Sequence, residues 1–475
     1  MESIINSLSK YKENNRIEAK TVKDKLPSSL WETYSSFANT FGGVILLGVI
    51  ENPDHSLKAI GVLNAEKLQT DFWNLVNDKH KVSANILKEE NVRIETTEDG
   101  KDILIIEVPR APVPLRPIYI NNDIWDGSFK RNHSGDYHCD RQEVRNMVAE
   151  SQPDVLDLAP LPSKVTFECL SLSSIESYRR RFASLFPTHQ WNSLSHQDFL
   201  LRLGGAIIEK GEWHVTKAGL LFFGYDWQIL PYFPEYFLDY QYWSGSNKTD
   251  RWDNRIVTGL GQGDGNVYDF FLRVSEDISS RLPTPFQING ETMMRIEDTP
   301  AKKAVREVLV NALSNANYQF PQGVTVVFNG HYLTASNPGN MLVEPEKALE
   351  GGRSDARNKT IFRLFNAIGF GDRSGWGVSY LEEFAKTNSG TSIQIIESTD
   401  PDRTTVTVPF LSNKVIQTVS YEKYIESIEK GASFTREAIS STVALSDSTL
   451  TRKLYKSIKT GELAKGDKRG VFIKL

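Results

Sequence analysis

The stretch DTPAKKAVREVLVNALSNANY, residues 298–318, constrains the fold more than any other part of the chain. Asp298-Thr299-Pro300 is a strong helix start, with a capping side chain and a proline at or near the first helical position. The helix that follows carries Glu307, Asn311 and Asn315 four residues apart. Residues at that spacing drift by only about 40° per step, so the three fall within a stripe about 80° wide. Val308, Leu309, Ala312, Leu313 and Ala316 occupy the remainder, so both flanks of the stripe are apolar. Asn is disfavoured in a helix by roughly half a kcal/mol relative to Ala, and a solvated face usually carries Lys, Glu or Arg instead. The alternative to a solvated face is the wall of a cavity. There the carboxamides can coordinate a hard cation through oxygen and donate to phosphates from nitrogen. A carboxylate one turn away can orient or deprotonate a water.

With 475 residues the expectation is about three domains, and 39% hydrophobic residues suffice for ordinary cores. The net charge of −5 excludes a globally basic protein, so any nucleic-acid surface is local. Two cysteines, Cys139 and Cys169, are too few for a disulfide framework. Met1–Asn15 has no apolar signal core, and the longest apolar runs are of strand length. These features predict a cytoplasmic protein without a membrane span.

Four units are expected, in an α+β multidomain chain. Residues 1–150 read as an α+β module. Ser29-Leu30-Trp31-Glu32 looks like a capping box opening a helix, and Gly42-Gly43 ends it. VILLGVI (44–50) and ILIIEV (103–108) read as buried strands, with PIYI (117–120) and SFKRN (128–132) as shorter ones. Residues 151–295 read as a linker and helical region, open to being part of the next domain. TGLGQGDGN (258–266) reads as a surface loop. Residues 296–412 alternate like a mixed α/β domain, with strands at VTVVFN, YLTASN, SIQIIES and TTVTVPF. Residues 413–475 show three helical segments, YEKYIESIEKG, FTREAISSTV and SDSTLTRKLYKSIKTG, then a hairpin, which is the winged helix-turn-helix pattern.

Further motifs follow the asparagine helix in order: SNPGN (336–340), RNKTIFRLF (357–365) and GFGDRSGWGVSYL (369–381). Gly375 and Gly377 precede a helix, a layout that presents backbone N–H groups to phosphates. Together these residues resemble the GHKL ATPase superfamily, and more closely a divergent GHKL-like branch labelled RecG-like or transcriptional regulator. The resemblance spans residues 306–378 and implies an α/β sandwich that binds ATP or another nucleotide with Mg²⁺. It implies that Glu307 positions the hydrolytic water and that Asn311 meets the metal. It implies nucleotide contacts from Asn315, Asn337, Gly339, Arg357, Asn358, Gly375 and Gly377. One departure stands out: Asn337-Pro338-Gly339 replaces the adenine-binding Asp of the superfamily, and an amide cannot accept with a carboxylate's strength.

The N-terminal unit holds a second constellation, YKENNRIEAKTV (11–22) followed by SSFANTFGGVILLGV (35–49). If RIEAK is a strand, Glu18 and Lys20 share one face, which alone gives an ion pair on an edge strand. The two stretches resemble the Alba-like Schlafen-type module over most of residues 10–145. Ala19 stands where the family prefers Phe, and Glu51 where an Asp is usual. The resemblance implies contact with RNA or DNA. In some relatives it implies metal-dependent nuclease activity, which would fall here to Glu13, Glu18 and Glu51, with Asp54 as a substitute. His133, His138 and Cys139 fit no closed zinc set.

Residues 451–475 contain eight basic side chains against two acids, a net of +6 in an acidic chain. With Leu450, Leu454 and Ile458 facing a core, Thr449, Arg452, Lys453 and Lys456 turn outward. They suit a recognition helix, with Lys468 and Arg469 on the wing. The composite reading is a DNA-binding transcriptional regulator with a GHKL-like, ATP-binding domain, acting as a homodimer that presents two winged helices. The alternatives are a metal-dependent nuclease of Schlafen type acting on RNA or DNA, as in defence against foreign nucleic acid, and a GHKL-type ATPase.

Overall fold

The computed structural model describes residues 16–151, 157–244, 251–282, 299–352, 355–371, 375–399, 401–410, 421–426, 428, 430–436, 439, 447–466 and 471–475. The chain begins with β1 (Ile17–Lys20), α1 (Ser29–Asn39), β2 (Gly43–Leu47), the hairpin β3 (Val49–Glu51) and β4 (Leu57–Ala59), and α2 (Ala65–Val76). It continues through β5 (Val92–Thr96), β6 (Asp102–Val108), the hairpin β7 (Phe129–Asn132) and β8 (Gly135–His138), and α3 (Arg141–Glu150). Four strands pair in the order β1-β2-β6-β5, with β1 a parallel edge. Helix α1 buries Leu30, Tyr34 and Phe37 completely, and Trp31 stacks on Phe72 of α2 at 5.6 Å. Each such ring is worth roughly 1.5–3 kcal/mol in water exclusion.

Three local expectations need correction. The capping box at Ser29 is not formed, because Leu30 and Trp31 donate to the Pro27 and Ser28 carbonyls, which satisfies the first amides without a side chain. VILLGVI is not one strand. Gly48 adopts φ +89 with Val62 packed against it, and the chain turns there from β2 into the separate β3–β4 hairpin. PIYI contributes only the isolated bridges Val82–Ile120 and Tyr119–Ser128, its carbonyls and amides being taken up by Ser35, Asn39 and Ser83 side chains.

A buried charge cluster ties the edge strand to the hairpin. Arg131, on β7 and 2% exposed, lies 2.8 Å from both Glu18 and Asp136, with its guanidinium 5.0 Å from the Phe37 ring centre. Lys20 completes it at 3.0 Å from Glu18.

The middle of the chain contains α4 (Leu172–Leu185), α5 (His196–Leu203), the hairpin β9 (Ala206–Glu209) and β10 (Glu212–Val215), α6 (Lys217–Phe223) and α7 (Asp226–Ile229). Then come β11 (Leu238–Tyr242), β12 (Asn254–Val257), α8 (Val267–Arg281), α9 (Pro300–Asn315), β13 (Val324–Phe328), β14 (Tyr332–Pro338) and α10 (Pro345–Glu350). They are followed by α11 (Lys359–Ala367), α12 (Gly377–Ser389), β15 (Gln394–Thr399) and β16 (Asp402–Pro409). Six strands form one sheet, β12-β11-β13-β14-β16-β15, in which only β11–β13 is parallel. The segment read from sequence as a linker and helical region therefore supplies two strands of this sheet. One hydrophobic core runs from Leu161 to Phe410. The glycine-rich 258–266 loop is anchored by Asp264, whose carboxylate accepts the hydroxyls of Ser171, Ser173 and Ser174.

The last unit has α13 (Tyr421–Glu426), β17 (Ser433–Thr435), α14 (Asp447–Lys459), β18 (Leu463–Lys465) and β19 (Val471–Lys474). The three strands pair as β17-β19-β18 over a core of Tyr421, Ile425, Ile439, Leu450, Leu454 and Leu463. FTREAISSTV, expected to begin a helix, begins instead inside β17, where β19 offers an open ladder to Phe434 and Thr435. Among the described residues no helix is long and apolar enough to cross a membrane.

The N-terminal unit meets the middle one through two ion pairs. Arg110 lies 3.2 Å from Glu397, and Arg357 lies 2.8 Å from Glu150, all four side chains being at most 14% exposed. Between them opens a cavity bordered by Arg116, Lys130, Cys139, Glu143 and Asp402. Burial, with Arg110 adjacent, pulls the Arg116 guanidinium down to about 9. Burial, with Glu150 and Glu143 nearby, pushes the Asp402 carboxyl up to about 6, and burial, with the Glu143 carboxylate nearby, lifts the Cys139 thiol to about 12.

Two predictions follow from these charges. Arg131→Met takes the cation from half-buried Asp136 and leaves Glu18 with Lys20 alone, and should cost about 3 kcal/mol, read by denaturant unfolding. For Asp402 the folded state holds its proton more tightly than the unfolded chain, so stability falls as pH rises from about 4 to 6 and stays lowered above that. Asp402→Asn should remove this loss and gain up to about 3 kcal/mol at pH 7. The gain should vanish below pH 4, as measured by unfolding across that range.

Candidate functional site

Helix α9 starts as its sequence dictates: Thr299 caps the Lys302 amide at 3.3 Å and Pro300 takes the first helical position. It is buried on nearly every side, packing on α8, α11, α12 and β14. Of its polar stripe Glu307 is buried, while Asn311 and Asn315 are half-buried. Glu307, Asn311 and Asn315 line a cavity of about 90 Å³ that opens to solvent.

The stripe is internally braced. Glu307 is 6% exposed and accepts from Asn311 Nδ2 at 3.3 Å, while Asn315 Nδ2 donates to the Asn311 carbonyl at 3.0 Å. Against Glu307 stands Gly377, the first residue of α12. A Cβ there would lie 1.9 Å from the Glu307 carboxylate oxygen, so only glycine lets the acid and the helix start approach this closely. Gly375 turns the chain at φ +76 just before, and its carbonyl accepts the Gly352 amide at 3.1 Å. The positive end of a 13-residue helix thus opens beside the acid–amide stripe.

The floor of the cavity comes from the sheet. Ala335 and Asn337 of β14 and Thr404 and Val406 of β16 face inward, and Asn337 is 5% exposed. Thr404 donates its hydroxyl to the Gly339 carbonyl at 2.9 Å. Leu342, Val343, Phe362 and Leu381 supply apolar walls. The cavity is therefore an apolar slot with amide and hydroxyl groups at its inner end and an acid, amides and a helix N-terminus at another.

Of the positions singled out by sequence, Glu307, Asn311, Asn315, Asn337, Gly375 and Gly377 come together on this lining. Gly339, Arg357 and Asn358 do not. Gly339 turns the chain after β14 with its Cα against the Arg357 guanidinium. Arg357 donates to the carbonyls of Asn315 and, at 2.7 Å, Asn340, besides pairing with Glu150. Asn358 Nδ2 donates to the Ser314 and Ala316 carbonyls at 3.0 and 2.7 Å. Both residues close the C-terminal end of α9 from outside the cavity.

Sequence reasoning missed Thr404, Asp355 and the segment Asn340–Val343, all on the lining. For Thr404 the signal was available, since strand alternation puts Thr404, Val406 and Val408 on one face. The 340–343 segment has no periodicity, so nothing in it marks a wall.

Among the described residues the N-terminal acids each have a separate partner. Glu18 is engaged by Lys20 and Arg131, Glu51 sits on the β3 hairpin with its carboxylate 2.8 Å from His55, and Asp54 accepts from Ser56. Glu13 lies outside the described residues. Among the described residues no group of three or more His, Cys, Asp or Glu side chains could hold a metal ion. His138 instead packs on Phe129, and Cys139 is buried.

On α14 the apolar residues Leu450 and Leu454 face the core while Arg452 and Lys456 are exposed. Lys453 lies over the Tyr421 ring at 5.3 Å. The Thr449 side chain, Lys468 and Arg469 are outside the described residues.

Comparison with known proteins covers the chain unevenly. Residues 13–140 match the Schlafen, AlbA_2 family, and residues 145–239 match a domain of unknown function, DUF8451. No curated protein matches the chain. Among solved structures, the DIP2311 protein from Corynebacterium diphtheriae is 16% identical over 97% of this chain and 92% of its own, with a TM-score of 0.41. The N-terminal domain of a protein from Nitrosomonas europaea, described as related to the ATP-dependent DNA helicase RecG, is 28% identical. It covers 29% of this chain and 90% of its own, with a TM-score of 0.23. The mixed α/β multidomain chain thus carries a Schlafen AlbA_2 domain at its N-terminal end.

Proposed function

We propose that this chain is a nucleic-acid-associated regulator whose central cavity binds a purine nucleotide with Mg²⁺, in a GHKL-like domain spanning residues 296–412 and the strands that join its sheet. The observation that carries the reading is the meeting of Glu307, Asn311 and the Gly375–Gly377 helix start on one cavity wall. A helix N-terminus such as that of α12 offers the backbone N–H groups that a phosphate site uses. The apolar slot between α9 and the sheet is of a kind that takes a flat heterocycle, with Asn337 and Thr404 at its polar end. Asn337 can both donate and accept, so it does not demand an exocyclic amino group and leaves the choice among purines open.

The donor set fits a hard cation. Asn311 turns its nitrogen to Glu307, which leaves its oxygen for the ion. Asn311 would hold Mg²⁺, which would supply charge neutralisation for the phosphates when bound. Glu307, one turn from Asn311 and pressed against Gly377, is placed to orient a water if hydrolysis occurs.

Contact with nucleic acid is supported by the AlbA_2 domain and by α14. The exposed Arg452 and Lys456, the helix packed on a three-stranded sheet and the local +6 charge all suit a winged helix on DNA. A dimer presenting two such units would bind more tightly than one. The nuclease reading draws no support from Glu18, whose carboxylate is taken by two cations.

Calorimetric titration of the full chain with Mg²⁺ and ATP or GTP tests the cavity. Binding is expected for at least one of them. It should be lost in Gly377→Ala, whose methyl would displace the acid, and weakened at least about tenfold in Asn311→Ala, the loss of one charge-assisted contact. Absence of any nucleotide binding to the unaltered chain rejects the proposal. A separate titration of duplex DNA against salt tests α14: Arg452→Glu with Lys456→Glu should lower the log–log salt slope by about 2. An unchanged slope would remove α14 from the interface.

A further inference from the structure

We infer that the N-terminal AlbA_2 domain and the nucleotide cavity are coupled through the segment Asn340–Val343, a regulation that rests on the nucleotide reading above. This segment is a wall of the cavity on one side. On the other it is gripped at two points, by Glu397 paired to Arg110 of the AlbA_2 domain and by Arg357 paired to Glu150, which lies past that domain at the end of α3. Glu397 accepts the Met341 amide at 2.7 Å and, through the same carboxylate, the Arg110 guanidinium at 3.2 and 3.3 Å. Arg357 donates to the Asn340 carbonyl at 2.7 Å and to Glu150, the last residue of α3, at 2.8 Å. Asn340 itself borders both the nucleotide cavity and the cavity between the two units.

These contacts differ from an ordinary surface interface. The side chains of Arg110, Glu397 and Arg357 are all 8% exposed or less, so their pairing is little screened by salt. Arg357 also holds the Asn315 carbonyl and receives the Gly339 turn against its guanidinium, so one side chain touches the asparagine helix, the cavity segment and α3. Among the described residues Arg110 Nε and Asn340 Oδ1 are buried without a protein hydrogen-bond partner, and both residues border the cavity between the units. A ligand pressing on Asn340–Val343 therefore acts on Glu397 and Arg357 at once, and through them on Arg110 and Glu150.

By reciprocity, whatever binds the N-terminal domain and moves α3 or the Arg110 turn changes nucleotide affinity by the same factor. A nucleic acid on the AlbA_2 domain is the ligand this predicts.

The test uses the full chain with Mg²⁺ and the non-hydrolysable ATP analogue AMP-PNP as probe. Amide hydrogen exchange in residues 141–151 and 110–116 should change at least about fivefold when the analogue binds. Its affinity should shift by a similar factor in Glu150→Gln combined with Arg110→Gln. If AMP-PNP binds but exchange in both segments stays the same, the coupling is overturned and the nucleotide reading stands. If neither AMP-PNP nor its guanine counterpart GMP-PNP binds, both fall. The exchange measurement is made on the unaltered chain, so a variant that fails to fold does not shield the proposal.

Discussion

The contact between the Glu307 carboxylate and the Cα of Gly377 sets the geometry of the central site. A carboxylate at 6% exposure is expensive unless polar neighbours surround it. Here it receives the Asn311 amide from its own helix and faces the first turn of α12, whose backbone carries partial positive charge. That pairing only works without a side chain at position 377. From it follow the orientation of α12 across α9, the opening of the cavity beside the stripe, and the exposure of the Gly375 turn to that cavity. The asparagines that looked costly for a helix are the polar groups such a wall requires.

What the sequence made legible was local and periodic. The start of α9, the four strands after it and the amphipathic face of α14 are read from caps, alternation and 3.6-residue spacing, and the structure has them where those signals lie. The stripe of Glu307, Asn311 and Asn315 was legible as a choice between solvent and cavity, because its flanks are apolar. What stayed hidden depended on distant partners. β11 and β12 gave weak signals because their identity as sheet members comes from β13, some eighty residues on, through the one parallel pairing in the sheet. VILLGVI looked like a single strand because apolar composition says nothing about the left-handed turn at Gly48. The wall at Asn340–Val343 is irregular chain fixed by Arg357 and Glu397, neither of which is a sequence neighbour.

The motif residues Arg357 and Asn358 show how a position can matter to a site without touching its ligand. Helix α9 ends at Asn315, leaving carbonyls that need donors. Asn358 supplies two hydrogen bonds to them through its amide and a third through its backbone, and Arg357 supplies another. The next helix, α11, has no cap of its own. Its first amides are accepted by Asp157, whose carboxyl is pushed upward by burial and which reaches Thr360 and Ile361 at 2.8 and 2.9 Å from two hundred residues away. The two residues therefore serve as a clasp that fixes where Asn311 and Asn315 stand. Asparagine and arginine suit that task for the same reasons they suit nucleotide contact, which is why type alone could not separate the two roles.

A clasp of this kind also explains why a charged residue is tolerated at the join between units. Arg357, at 4% exposure, would be destabilising as a lone buried cation, yet three carbonyl or carboxylate oxygens on three different segments receive it. Replacing it with an apolar residue of similar volume would keep the packing and lose the registration between α9, the Asn340 turn and α3. Registration is what the cavity needs from its surroundings, since its wall is shared by groups on α9, α12 and β14. The charge is retained at the place where three elements must agree in position, and Glu150 brings the N-terminal domain into that agreement.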